Sequence, residues 1–401
     1  MLHNFSWGGL IARATFVTSG QPKTAAADSQ TYVDRAYTAI DRYNADWYNA
    51  ATGIWDNAWW NSANGLTTLA DFALLALDEA NELNIGGILR TTFENAQKTQ
   101  VQTIKTMNQG LVTSTYCIDW NEGCMSKRDF IGARGFDNFL NEYFDDEGWF
   151  CLGLLKAYDA TGDQEYLQMS VEIFEDMRGA TGSDCGGVFW SKDREYVNAI
   201  TNELYLTAAA SLSRRVPSKK EEYLKIAKDQ WQWFRNSGMI NDDNLINDGL
   251  TSECKNNGLQ TWSYNQGVIL GGLVELSLAT GDSSLLDSAT KIAKAAIKKL
   301  SNDDGILTEA DDCELKDGHC GTDGQQFKGI FVRNLRYLHA AAPQASFKNF
   351  IIDNANSIWE HDRNSRDRLG VAWSGPYVSA SGPSHSSAMD ALVAAIAVTS
   401  T

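Results

Sequence analysis

The sequence predicts an all-α protein whose helices close into an (α/α)6 barrel, a ring of inner and outer helices. Three observations support this prediction. Apolar residues recur at helical spacing along most of the chain, a helical hairpin is repeated within it, and only 5 of the 401 residues are Pro. About twelve helices in about six hairpins are expected, and a closed ring needs that number. An irregular open solenoid is the alternative, although it would leave two end faces uncovered.

The clearest sign of repetition is a segment that occurs twice. Residues 148–163 read GWFCLGLLKAYDATGD, and residues 267–282 read GVILGGLVELSLATGD. Each copy predicts an apolar helix that ends at a glycine able to adopt the left-handed conformation, Gly162 or Gly281. The aspartate that follows can cap a second, amphipathic helix. Because the first helix is apolar nearly all round, we expect it inside the ring, with the amphipathic helix outside.

The other helices follow the same plan in chain order. The second helices of the two repeat copies are expected over residues 164–177 and 283–300. Three weaker hairpins pair residues 66–80 with 89–107, 202–213 with 219–234, and 328–341 with 346–359. A first helix over residues 28–47 and a last helix over residues 387–398 complete the set.

The composition narrows the classes of ligand. The formal net charge is −17, and a nucleic-acid partner is excluded because phosphate contacts need basic side chains. The 13 Trp residues suit a sugar-binding protein, since flat rings stack on the apolar faces of pyranoses, although buried aromatics explain part of this number. No glycine-rich phosphate loop follows a strand, and we expect neither a cofactor nor a metal.

The seven cysteines indicate an oxidising compartment. Three pairs in polar loops are expected to form disulfides: Cys117–Cys124, Cys313–Cys320 and Cys185–Cys254. Cys151 lies in an apolar helical run and is expected to be a buried free thiol. Zinc binding is the alternative for the loop cysteines, but no CxxC motif and no histidine cluster accompany them.

The repeat also locates a candidate active site. All inner helices of such a ring run the same way, so their N-termini share one rim. Asp145 and Asp146 stand at this rim, where the second repeat copy carries Tyr264 and Asn265. Glycoside hydrolysis uses two carboxyl groups, one that protonates the leaving oxygen and one that attacks or activates water. Adjacent residues at a helix start can place their carboxyl groups roughly 5 Å apart.

An Asp-Asp dipeptide alone is weak support for catalysis. Three others, at residues 242–243, 303–304 and 311–312, lie in polar loops and are expected to be solvated surface, turns or helix caps. The pair at Asp145 and Asp146 differs because aromatic residues flank it and because it lies at the rim. Other aromatic residues within or close to rim segments are Trp149, Trp190 and Trp262.

Eight further residues at or near the rim are candidate sugar ligands, because amides and carboxylates bind hydroxyl groups and Trp or Tyr rings stack on sugars. Four precede or begin the first inner helix: Asn57, Trp59, Trp60 and Asn64. Four begin other inner helices: Asn202, Glu203, Tyr264 and Gln326. For the segment around Trp59 and Trp60, a loop filled by buried Trp side chains is the alternative.

Six motifs in order along the chain resemble glycoside hydrolase family 76, the endo-α-1,6-mannanases and their fungal cell-wall relatives. They are WWNSAN (59–64), DDEGWF (145–150), GGVFW (186–190), NAITNEL (198–204), TWSYNQGVILGGL (261–273) and GQQFKGIFVRNL (324–335). The resemblance implies the (α/α)6 barrel and retaining cleavage of α-1,6-linked mannose chains. It also implies that Asp145 is the nucleophile and Asp146 the general acid/base. The sequence departs from the family pattern at Phe150, where Trp is common.

The resemblance implies a glycosidase that is secreted or held at the cell wall, with a mannan or mannooligosaccharide substrate. A cell-wall transglycosylase acting on α-1,6-mannose-containing glycans is a close alternative. Two further alternatives remain. One is a non-catalytic helical-repeat sugar-binding protein, and the other is a different (α/α)6 enzyme, such as a β-glucanase or an unsaturated-uronide hydrolase.

The expected organisation is one catalytic domain over residues 28–401, after an N-terminal segment of residues 1–27. We expect a monomer with no membrane span, since no run of 18 apolar residues exists.

Overall fold

The computed structural model describes residues 23–99, 101–108, 111–118, 138–315 and 320–400. Six inner helices in this part of the chain are α2 (Trp59–Leu75), α5 (Phe144–Thr161), α7 (Ala199–Arg215), α9 (Ser263–Thr280), α11 (Gly321–Ala341) and α13 (Gly382–Thr399). The outer helices are α1 (Lys23–Trp47), α3 (Leu77–Glu82), α4 (Ile85–Ala96), α6 (Gln164–Met177), α8 (Lys220–Phe234), α10 (Ser284–Leu300) and α12 (Ala345–His361).

The inner helices form a closed ring, which confirms the predicted (α/α)6 barrel. In ring order, α2 packs on α5, α5 on α7, α7 on α9, α9 on α11 and α11 on α13, and α13 returns to α2. Outer helices α6, α8 and α10 each pack on the inner helix before them, and α1 packs on α13. The first and last helices therefore form the inner–outer pair that closes the ring.

The repeat copies end and restart as the sequence predicts. Gly162 and Gly281 end α5 and α9 in the left-handed conformation, with φ of 75° and 77°. The side chain of Asp163 then accepts a hydrogen bond from the backbone of Glu165 at 3.0 Å and caps α6. The left-handed glycine lets the chain reverse direction within a few residues, so inner and outer helices lie antiparallel.

A recurring hydrogen bond joins the first turn of an inner helix to the loop before it. The fourth residue of α7, Asn202, bonds both backbone groups of Val188, at 2.8 and 2.9 Å. The fourth residue of α9, Gln266, does the same with Ile246, at 2.8 Å in both directions. In α5, the fourth residue Glu147 accepts from the backbone of Asn141 at 3.1 Å. These contacts fix the loops that form the rim.

Two parts of the hairpin predicted over residues 66–80 and 89–107 were wrong. The inner helix breaks at Ala76, and the outer part is divided between α3 and α4. The helix predicted over residues 89–107 ends at Ala96, and β3 (Val101–Asn108) follows it. That strand pairs with β4 (Leu111–Ile118) in an antiparallel hairpin. A second, much shorter hairpin joins β1 (Tyr48–Asn49) to β2 (Ile54–Trp55).

Five cysteines are arranged as predicted. Disulfides join Cys185 to Cys254 and Cys313 to Cys320, and Cys151 is a buried free thiol. The predicted Cys117–Cys124 bond stays a prediction, because Cys124 lies outside the described residues. Among the helices of the described ranges, none combines the length and apolar character needed to cross a bilayer.

Candidate active site

A cleft opens at the end of the ring where the inner helices begin. Its wall carries Asp145 from α5, Tyr264 from α9 and Asp323 from α11, with Trp60 from α2 and Asn198 from the residue before α7. The helix starts converge here because all six inner helices run in the same direction. The hairpin β3–β4 contributes Lys105, Met107 and Val112 to the same wall.

Asp145 is the second residue of α5 and is almost completely buried. Its Oδ2 accepts a hydrogen bond from the indole Nε1 of Trp190 at 2.9 Å. Its Oδ1 accepts from the backbone N–H of Asp146 at 3.0 Å. The Nζ of Lys105 lies 3.1 Å from both carboxylate oxygens. Each oxygen therefore has two donors, and they hold the carboxylate in one orientation.

Asp146 is fully buried directly behind Asp145. Lys105 donates to its Oδ1 at 2.6 Å, and the amide of Asn141 donates to its Oδ2 at 2.7 Å. Burial is the main cause that raises the pKa of Asp146 to about 7; the charge on Asp145 acts in the same direction, while Lys105 and Asn141 lower the pKa. A carboxyl group with this pKa is partly protonated near neutral pH and can donate a proton.

The side chain of Lys105 is buried and exposes only 2 % of its area. Burial lowers the pKa of the Lys105 ammonium, but the neighbouring carboxylates of Asp145 and Asp146 outweigh burial and raise it. Its Nζ also lies over the rings of Tyr143 and Trp190, 4.7 and 5.6 Å from their centroids. The ammonium is therefore held charged between two carboxyl groups and two aromatic faces.

Two more carboxyl groups border the cleft. Asp323 accepts from the indole Nε1 of Trp60 at 2.9 Å and from the hydroxyl of Ser114 in β4 at 2.8 Å. Asp248 accepts from the hydroxyl of Tyr196. Burial raises the pKa of both carboxyl groups to about 6. Lys105 is the one cation among the described residues that line the cleft, so the site is strongly acidic.

Aromatic rings form the floor and one side of the cleft. Tyr264 stacks on Phe327 with ring centroids 3.8 Å apart and an angle of 13° between planes. The ring centroid of Trp60 lies 5.6 Å from that of Trp149 and 6.2 Å from that of Phe327. Flat apolar surfaces next to carboxyl groups are typical of sites that bind sugars.

Among the predicted site residues, the structure brings together Asp145, Asp146, Trp60 and Tyr264. Other predicted residues lie away from the cleft. Asn57 is exposed in the loop before α2, with φ of 51°. Trp59 is buried, and its ring centroid lies 4.6 Å from that of Phe150. This agrees with the alternative interpretation, in which buried Trp side chains fill this segment.

The remaining four predicted ligands are fully buried polar residues. Asn64 accepts a hydrogen bond from Arg333, and Asn202 holds the backbone of Val188. Gln326 lies 3.4 Å from the hydroxyl of Ser386. Burial raises the pKa of Glu203 well above its usual range. None of these four is among the described residues that line the cleft, and the first three have partners within the protein.

Sequence reasoning missed Lys105, Asp248 and Asp323. Lys105 lay in a segment predicted as helix, although the residues of β3 and β4, VQTIKTMN and LVTSTYCI, are rich in β-branched side chains. Asp323 lies in the first turn of α11, directly before the GQQFKG motif, and this position was a detectable signal. Asp248 lies in a polar loop, and nothing in its local sequence distinguishes it.

A larger cavity of about 310 Å³ lies at the opposite end of the ring. Its lining is mostly apolar and includes Leu152, Val268 and Leu278. The charged residues at its border have ion-pair partners; Arg215, for example, lies 3.2 Å from Glu275, which also borders the cavity. We place the candidate active site in the smaller cleft because only that end carries the adjacent carboxyl groups.

Comparison with known families identifies the chain. Residues 26–400 match Glycosyl hydrolase family 76. The chain belongs to this family. Over 217 residues it is 30 % identical to the mannan endo-1,6-α-mannosidase DFG5 of Saccharomyces cerevisiae, an alignment that covers 50 % of this chain and 46 % of the relative. The chain therefore spans about half the length of the curated relatives that it matches.

Solved structures of the family share the fold. An inactive variant of the α-1,6-mannanase of Salegentibacter sp. HEL1_6, with two consecutive Asp residues replaced by Asn, was solved in complex with α-1,6-mannotriose. It superposes with a TM-score of 0.72 at 19 % identity and covers 92 % of this chain and 99 % of its own. Dfg5 from Chaetomium thermophilum, in complex with glucosamine, gives 0.71 at 16 % identity, covering 94 % and 91 %.

Proposed function

We propose that this protein is an endo-acting glycosidase that cleaves α-1,6-mannosidic bonds in the backbone of mannan. The observation that carries the proposal is the pair Asp145 and Asp146 at the mouth of the ring, beside aromatic surfaces suited to sugars. Family membership supports the proposed substrate class, because the relative DFG5 is a mannan endo-1,6-α-mannosidase.

We assign Asp145 as nucleophile and Asp146 as general acid/base of a retaining reaction. The Nζ of Lys105 contacts both carboxyl groups, at 3.1 and 2.6 Å. The two contacted oxygens can be no farther apart than the sum of these distances, which is shorter than the roughly 6.5–9.5 Å between the carboxyl groups of inverting enzymes and supports a retaining pair. Asp145 would attack the anomeric carbon while Asp146, whose pKa of about 7 keeps it partly protonated, protonates the leaving oxygen.

A family neighbour supports the assignment to this pair. The inactive Salegentibacter variant carries Asn in place of two consecutive Asp residues. In this chain Asp145 and Asp146 are consecutive, buried and joined to the same ammonium group. The dipeptide at Asp242 and Asp243 is exposed in a loop and makes no such contact.

We further propose one catalytic domain over residues 28–401, acting as a monomer outside the cytosol, secreted or at the cell wall. Two disulfides in the described part of the chain support an oxidising compartment.

The test is digestion of linear α-1,6-mannan by the purified protein, with Asp145→Asn and Asp146→Asn as inactive controls. Shortened α-1,6-mannooligosaccharides should appear with the wild type, and NMR should show the α-anomer first if the reaction retains configuration. If either variant cleaved the mannan at a rate close to that of the wild type, the assigned roles would be refuted. A β-anomer as first product would refute the covalent intermediate.

The same digest separates the alternatives. With an added glycan acceptor, elongated products would identify a transglycosylase, in which a sugar hydroxyl replaces water as the attacking group. Binding of α-1,6-mannotriose without any cleavage would identify a sugar-binding protein. Cleavage of a β-glucan or an unsaturated uronide, but not of mannan, would identify another (α/α)6 enzyme.

A further inference from the structure

The hairpin β3–β4 crosses the mouth of the ring. Lys105 in β3 contacts Asp145 and Asp146 of α5. Ser114 in β4 donates to Asp323 of α11, and Thr322 donates to the backbone oxygen of Ser114 at 3.0 Å. Three steps in either direction separate α5 from α11 in the ring of six, so the hairpin joins opposite sides of the barrel.

Both anchors lie on one rung of the hairpin. Lys105 and Ser114 are direct cross-strand partners, so their side chains leave the same face of the hairpin together. This face looks into the cleft, where Met107 and its partner Val112 also form part of the wall. One movement of the hairpin would therefore withdraw both anchors at once.

Lys105 occupies the approach that a sugar must use. Its Nζ lies 3.1 Å from both oxygens of Asp145, while Trp190 and the backbone of Asp146 contact the same oxygens. A nucleophilic carboxylate needs a free lone pair and must come within about 3–3.5 Å of the anomeric carbon. That carbon and the ammonium group cannot share this position.

The free space leads to the same conclusion. The cleft has a free volume of about 20 Å³, enough for about one water molecule. Sites for small organic ligands usually measure about 300–1,000 Å³. A mannose residue therefore does not fit beside Asp145 while the hairpin stays in place.

The hairpin is attached to the ring by side-chain contacts and by the packing of β4 on α11. In the described residues, β3 and β4 pair only with each other, so no strand ladder joins them to the ring. Isolated two-stranded hairpins are marginally stable. Buried ion pairs such as those of Lys105 contribute little net stability because desolvation offsets their attraction. The contacts that keep this hairpin closed can therefore be exchanged for contacts with a ligand.

We propose that the β3–β4 hairpin is a built-in plug whose Lys105 ammonium occupies the position of the reacting sugar, so that substrate binds only after the hairpin withdraws. The proposal rests on the proposed glycosidase function. The ammonium suits this place because the transition state of glycoside hydrolysis also carries positive charge beside the two carboxyl groups. Lys105 thus offsets part of the negative charge of Asp145 and Asp146, and sugar and ammonium compete for the same position.

The plug has a kinetic consequence. If only a minor open state binds substrate, the apparent affinity falls by the fraction of molecules that are open. Minor states of about 0.1–10 % are common. Replacing Lys105→Ala removes the competing group and should lower KM for α-1,6-mannotetraose at least about tenfold at the variant's own pH optimum. Lys105→Arg keeps a cation in place, and its KM should remain close to that of the wild type.

Hydrogen exchange of the β3 amides, measured by mass spectrometry, reports opening directly. Exchange over residues 101–108 should be faster in Lys105→Ala than in the wild type, and saturating α-1,6-mannotriose should accelerate it in the wild type. Slower exchange with the trisaccharide would overturn the plug, because the hairpin would then be a lid that closes over substrate. A kcat at least about 100-fold lower, with KM unchanged, would also overturn it by assigning Lys105 to the reaction itself.

Two further variants keep the test decisive. Ser114→Ala removes the anchor on Asp323 and should accelerate β3 exchange less than Lys105→Ala does. Lys192→Met removes an ammonium that pairs with Glu147, also at the start of α5, but lies outside the hairpin. It should lower thermal stability and leave β3 exchange unchanged. If no variant or wild type cleaves mannan, the glycosidase proposal fails, while sugar-free exchange still tests whether Lys105 holds the hairpin.

Discussion

The first turns of α5 and α9 are equivalent in the ring, yet they carry different chemistry. In both helices the fourth residue, Glu147 or Gln266, holds the loop before the helix. The second residue differs: Asp145 presents a carboxylate to the cleft, and Tyr264 stacks on Phe327. The fourth position therefore maintains the barrel, and the second and third positions are available for function.

The strongest test of this comparison is Asp145→Asn. We expect kcat/KM on α-1,6-mannan to fall by about 10⁴-fold or more, because the amide cannot act as a nucleophile. The matched control is Asp242→Asn, which changes the exposed Asp-Asp dipeptide and should leave kcat/KM unaltered. Similar losses of kcat/KM in both variants would mean that the position of an Asp-Asp dipeptide in the ring does not decide whether it is catalytic.

The next effect concerns the fourth position. Gln266→Ala removes both hydrogen bonds to Ile246 and leaves the buried backbone N–H and C=O of Ile246 unpaired. We therefore expect the free energy of unfolding to fall by about 3 kcal/mol. Urea denaturation measures this loss. Gln168→Ala, on the exposed face of α6, should change it by less than about 0.5 kcal/mol. Specific activity of the folded Gln266 variant should stay close to that of the wild type.

The third effect is a pH dependence that belongs to α5 alone. If Asp146 donates the proton, it must be protonated in the free enzyme, and its pKa is raised to about 7 by burial. Plotted against pH, kcat/KM should then fall about tenfold per unit above pH 7. Asp248→Asn removes another cleft carboxyl group and should leave this alkaline limb in place. A limb that began near pH 4 to 5 would contradict the role of Asp146.

The smallest expected effect is at the second position of α9. Tyr264→Ala removes the ring that stacks on Phe327 and forms part of the cleft wall, so KM should rise about 2–10-fold. Tyr264→Phe keeps the ring and should retain most of the affinity. A loss in kcat as large as that of Asp145→Asn would show that α9 also contributes a catalytic group.

The sequence predicted the parts of the molecule that repeat. Helical spacing identified the hairpins, and the Ala-Thr-Gly-Asp signature marked the ends of α5 and α9, where Gly162 and Gly281 adopt the left-handed conformation. Asp145 and Asp146 could be singled out because the second repeat copy lacks them. Asn202 was harder to interpret. Its amide looks like a sugar ligand in sequence, but it serves the recurring loop contact.

The parts that could not be predicted depend on contacts between distant segments. Lys105 is 40 residues before Asp145, and only the folded hairpin brings them together. Asp248 and Asp323 likewise gain their raised pKa values from burial by other helices. Local pattern carries no information about such burial, so a charged residue in a loop looks the same whether it is solvated or catalytic.

The packing of the first helix, α1, on the last helix, α13, has a consequence for protein synthesis. At about 5–20 residues per second, the ribosome adds α13 roughly 15–60 s after α2. During this interval the flanks of α1 and α2 that will pack on α13 have no cover, and His385 of α13 has yet to reach the backbone oxygen of Ala39. The nascent chain therefore exposes an apolar surface on its earliest helices until its final helix is made.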